Sequence, residues 1–66
     1  MDPIATIIYI IGARGQGRQE AVTDLQGYYA FGGTRPRAAD VRAEYQRTHS
    51  RPASPDADRW IKRLSA

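Results

Sequence analysis

Apolar and polar positions alternate along this chain in blocks that read as short helices. The clearest block is the last. Ala57, Trp60, Ile61 and Leu64 recur at i, i+3, i+4 and i+7, so they share one helical face. Arg59, Lys62 and Arg63 fall on the opposite side, with Asp56 and Asp58 on its flanks. Ser54-Pro55 supplies the start: a hydroxyl to cap a free N–H, then a proline where no N–H is needed. Asp2-Pro3 repeats that signal before Ile4, Ile7, Ile8 and Ile11, and Gly12 is a stop. The run 4–11 is also rich in β-branched and aromatic residues, which strands prefer, so it reads as helix or strand. As a strand it needs an edge to pair with, either Tyr28–Phe31 or a second chain.

Between these ends the pattern predicts two more helices. Gly12–Gly17 reads as a flexible loop. A helix from about Arg18 to Ala30 turns Ala21, Val22, Leu25 and Tyr28 or Tyr29 inward, and Gly32-Gly33 ends it. Thr34 with Pro36 opens another, to about Thr48, with Ala38, Val41 and Tyr45 inward. On its outer face Arg37–Asp40 and Glu44–Arg47 are spaced as ion pairs. His49–Ala53 is then a short connection. The fold class is mainly α: a single domain over 1–66, a small helix-turn-helix-like bundle of three to four short helices, with the helix-turn-helix-like unit at 34–65.

Size sharpens this. A chain of 66 residues buries only about 60% of its unfolded surface, and without cysteine it has neither disulfide nor thiolate–metal staple. A homodimer is therefore expected. The Ile4–Ile11 run is too short to cross a membrane, which needs about 20 apolar residues, and it lacks signal-peptide features. A cytoplasmic protein with no membrane partner is the expectation.

Charge is uneven. Residues 1–33 set Arg14 and Arg18 against Asp2, Glu20 and Asp24. Residues 34–66 set Arg35, Arg37, Arg42, Arg47, Arg51, Arg59, Lys62 and Arg63 against Asp40, Glu44, Asp56 and Asp58. The basic half suits an anionic partner, and a preference for Arg over Lys suits bidentate contact with phosphate or guanine. An Arg-rich solvated surface is the plainer account of the same residues.

Catalytic chemistry is poorly represented. Ile10-Ile11-Gly12-Ala13-Arg14-Gly15-Gln16-Gly17 resembles the start of a Walker A phosphate loop. That family continues with Lys and Ser or Thr, where this chain has Arg18 and Gln19, so the metal-binding hydroxyl is missing. The sole histidine, His49, has no Cys or second His to join it in a metal cluster. Asp40 and Glu44 sit between Arg37 and Arg47, as a salt-bridged surface would have them, and Ser50 and Ser54 lack a recognisable base. No enzyme activity and no cofactor are expected.

Gly33-Thr34-Arg35-Pro36, Ala39-Asp40-Val41-Arg42, Ser54-Pro55 and Arg59-Trp60-Ile61-Lys62-Arg63-Leu64 resemble the helix-turn-helix domains of plasmid and phage regulators. Within that group they are most similar to the DNA-binding domains of plasmid coiled-coil repressors. The resemblance implies a bracing helix and a recognition helix that enters the major groove of double-stranded DNA. On this chain Ser54 would cap near a phosphate, Arg59 and Arg63 would reach bases or backbone, and Lys62 would meet phosphate. Arg35, Arg37, Arg47 and Arg51 would flank the site, while Trp60, Ile61 and Leu64 would be core. Against it stand Asp56 and Asp58 at the start of the recognition helix, where phosphate repels them, although the helix dipole favours them there. The connection is also longer than the tight form of the motif. The second expectation is a phage-type inhibitor or adaptor that docks on a host protein through surplus apolar surface: Ile4, Ile7, Ile10, Tyr9, Tyr28, Tyr29 and Phe31.

Overall fold

Asp2 decides the fate of the first apolar run. Its carboxylate accepts hydrogen bonds from the backbone N–H of Ile4 at 3.1 Å and of Ala5 at 3.2 Å, and Pro3 occupies the first helical position. The run is a helix, and the strand alternative falls. In the computed structural model, which describes all 66 residues, the chain forms α1 (Pro3–Gly12), α2 (Gly15–Ala30), α3 (Ala38–His49) and α4 (Pro55–Leu64), with no strand. The α1 helix is the hub: α2, α3 and α4 each pack against it, α3 also packs against α4, and α2 packs closely on neither α3 nor α4. This placing widens the buried arc of α1. Ile7 and Ile10 are fully enclosed, so they belong to the core and not to a surplus docking surface, and Ile10 takes the inner place that the simple stripe gives to Ile8.

The glycine segment is not a loop. Only Ala13 and Arg14 link α1 to α2; Gly15 enters the next helix with φ +60°, a conformation suited to glycine, and Gln16 and Gly17 are already helical. Arg18 holds the junction, donating from Nε to the Ile10 carbonyl at 3.1 Å and from Nη2 to the Ile11 carbonyl at 3.3 Å. The Ile10 carbonyl also accepts from the Ala13 N–H at 3.3 Å, and a cation at these last carbonyls of α1 adds a donor and opposes the dipole. At its far end α2 closes as a Schellman turn. Gly32, at φ +99°, donates to the Tyr29 carbonyl, and Gly33 donates to the Tyr28 carbonyl at 2.8 Å.

Helix α3 begins at Ala38, four residues after Thr34, where its sequence signal starts. Proline biases its predecessor away from helical dihedrals, so Pro36 keeps Arg35 out of a helix. The extended stretch is used instead by the chain end. Ala66 donates to the Pro36 carbonyl at 2.9 Å, and Ala38 donates to the Ala66 carbonyl at 2.8 Å. The Tyr29 hydroxyl, from α2, donates to the Leu64 carbonyl at 2.6 Å, so α4 is strapped from both sides. Burial raises the Tyr29 hydroxyl above its ordinary pKa, against the lowering effect of Arg35.

The core is small. Ile7, Ile10, Leu25, Val41 and Ile61 are fully buried, and only nine of 66 residues are buried at all, so each core side chain is a large share of the whole. Ala38, Ala21, Val22 and Tyr29 pack around them as the helical spacing predicts. No helix is long and apolar enough to cross a membrane.

Candidate nucleic-acid interface

The start of α4 is local chemistry. Ser54 Oγ accepts from the Ala57 N–H at 3.2 Å and Pro55 follows it. With that register fixed, Ala57, Ile61 and Leu64 turn inward and are buried, while Arg59, Lys62 and Arg63 are exposed. Trp60 packs against the core cluster, as its spacing predicts, but is not enclosed by it. It is half-buried, its ring facing the gap between α4 and α2, with the Arg18 guanidinium 4.9 Å and the Arg63 guanidinium 5.4 Å from the ring centroid. The gap exists because α2 and α4 pack separately on α1. Side chains bridge it: Trp60 and Arg18 toward one end, Tyr29 and Leu64 toward the other.

Carboxylates on α4 are largely accounted for. Asp58 accepts from Arg42 Nε of α3 at 2.6 Å and pairs with Lys62 at 3.3 Å. The hydrogen bond from Arg42 is the main reason its carboxyl lies below the usual aspartate range. Asp56 pairs with Arg59 at 3.1 Å, both well exposed. Exposed pairs of this kind contribute about 0–1 kcal/mol and separate readily when a stronger anion arrives. Arg63 stands outside the set.

The sequence-predicted bases divide into two groups. Arg59, Lys62 and Arg63 are together on α4, and Ser54 lines the same cleft as Arg59 and Trp60. Arg35 joins at the other end, its guanidinium 4.2 Å above the Tyr29 ring, and that tyrosine holds the Leu64 carbonyl. Arg51 is exposed in the α3–α4 connection, Ser50–Ser54, where Ser50 adopts φ 56°. Arg37 and Arg47 are elsewhere. They pair with Asp40 and Glu44, whose carboxylates line a groove with Asp2, Ile4 and Ile8 of α1. Arg47 holds the Glu44 carboxyl below its usual range, chiefly by hydrogen bonding.

Two bases of this face were hidden in the sequence. Arg14 belongs to the segment that reads as a flexible loop and Arg18 to the start of the helix after it, yet they line one cleft with Arg59 and Trp60. Arg18 also lines a second cleft with Arg63, on the far side of Trp60. Their spacing of four residues was the available signal, and the glycines around them masked it. No His, Asp and Glu side chains gather as a group of three that would hold a metal ion. No family model matches the chain, and comparison with curated proteins and with solved structures finds no match.

Proposed function

We propose that this chain is a small non-catalytic nucleic-acid-binding module that holds the phosphate backbone on the face shared by α4 and the first turns of α2. The observation that carries the reading is the convergence of Arg14, Arg18, Arg59 and Arg63 around one half-buried tryptophan, contributed by α4, by α2 and by the link that precedes α2. Arginine suits phosphate because its planar fork donates two parallel hydrogen bonds. Asp58 opposes binding little, since Arg42 and Lys62 already share its charge. In the helix-turn-helix form of this reading, α4 lies along a duplex with Arg59, Lys62 and Arg63 toward it and Arg51 beside it. The test is a gel shift of the purified chain on random oligonucleotides at low salt. Binding that weakens steeply with added salt supports the reading, and no shift at tens of micromolar protein ends it.

A second reading, docking on a host protein, is favoured by one observation. Phe31 is 95% exposed at the tip of the α2 turn, and Tyr9 is 57% exposed on α1. A partner protein that is retained after nuclease treatment, and lost on Phe31→Ser, would support that alternative.

A further inference from the structure

We infer that the cleft between α2 and α4 takes single-stranded nucleic acid in preference to duplex, with a base against Trp60 and the flanking phosphates on Arg14, Arg18, Arg59 and Arg63. The inference rests on the nucleic-acid reading above and names the form of the ligand.

Shape is the first argument. The four arginines do not stud one convex helix surface; they line a depression from α4 on one side and from α2 and the link before it on the other. Trp60 divides that depression into two clefts of about 590 and 390 Å³. A duplex carries its phosphates outside and keeps its bases stacked within, so it reaches the outward Arg59 and Lys62 but brings no base to the indole. A single strand has free base faces and a backbone that follows a narrow cationic groove, the arrangement in which bases stack on aromatic side chains.

Chemistry is the second. The first turn of α4, Pro55-Asp56-Ala57-Asp58, offers no side-chain donor to a base edge; Asp58 is shared by Arg42 and Lys62, and Asp56, which lines the cleft, is held in an exposed pair with Arg59 that opens when a phosphate takes the arginine. The donors lie farther along α4 and at the start of α2. Arg18 is fixed by the Ile10 and Ile11 carbonyls, so it forms a rigid wall of the cleft beside the ring. Arg63 is exposed and is held over the indole without an ion pair, so it can yield the ring to a base and take a phosphate instead. Tyr29 under Arg35 repeats the same cation-over-ring pairing at the other end of α4.

Trp60 is the only tryptophan, so its emission reports on the cleft directly. The experiment titrates the full chain with a labelled oligothymidylate of roughly 12 nucleotides and with a duplex of equal length, following label anisotropy and tryptophan emission together. The expected result is about tenfold tighter binding of the single strand, with quenching of Trp60 that saturates alongside the anisotropy. Arg14 is exposed and caps nothing with its side chain, so Arg14→Glu is expected to fold normally by circular dichroism and to bind the single strand about tenfold more weakly. Duplex bound as tightly or more tightly, or single strand bound with no change in Trp60 emission, would overturn this inference and leave the nucleic-acid reading standing. Binding of neither would overturn both.

Discussion

Arg42 of α3 donates from Nε to Asp58 of α4 at 2.6 Å, the one ion pair that joins two helices of this bundle. The other pairs are local, three or four residues apart within a helix or at its edge. The pair aligns α4 on α3 and draws an acid away from the basic face.

Acid should weaken that link with a defined sign. The Asp58 carboxyl ionises below its ordinary value of 3.8, so the stabilisation is fully present above that value and is lost as the pH falls through the lower, folded one. Thermal melts across acid pH should show Asp58→Asn less stable than the parent chain at neutral pH. The difference should vanish in strong acid. A constant difference at every pH would mean that Asp58 acts by packing alone.

The close of α2 is the next test. A Cβ on Gly33 would overlap the Tyr28 ring at Cδ2 and Cε2. Gly33→Ala is therefore expected to destabilise by about 1–3 kcal/mol, as overpacking does. Adding Tyr28→Ala should remove most of that penalty, a coupling readable in a double-mutant cycle by urea unfolding.

Ser50 adopts a left-handed conformation, φ 56°, after the end of α3. Glycine meets no Cβ penalty there but has more freedom to lose on folding, so Ser50→Gly should stabilise by about 0.5 kcal/mol net. A small upward shift in the urea midpoint is the readout.

In a core this thin, Ile10 is near the centre. Ile10→Ala should cost about 2–5 kcal/mol, and loss of cooperative unfolding in urea would mark a chain left without a stable fold.

How much of this could be read beforehand depended on whether the deciding contact was local. Helix α4 was legible because each step is local: Ser54 caps Ala57 three residues on, and Ala57, Ile61 and Leu64 follow at intervals of four and three. The pairs Arg37–Asp40, Glu44–Arg47, Asp56–Arg59 and Asp58–Lys62 were legible for the same reason. The central place of α1 was not, because it depends on three helices choosing the same partner. Arg42–Asp58 spans sixteen residues and leaves no periodic trace. The late start of α3 required knowing that Ala66 pairs with Pro36 and Ala38. That Arg59, Lys62 and Arg63 share the exposed side of α4 was legible from their spacing. Arg14 and Arg18 were not, since glycines that usually weaken a helix here sit in its first turn, where such a penalty is least felt. Trp60 has the spacing of a core residue and packs on the core; its exposed side follows from α2 and α4 packing apart.

The most direct test of the account is the salt dependence of single-strand binding by the parent chain and by Arg14→Ala/Arg59→Ala. Four arginines on phosphate should give a slope of log K against log salt of roughly −3, falling to about half that in the double variant. A slope near zero, or one that the double substitution leaves unchanged, would contradict the claim that this face holds a nucleic-acid backbone.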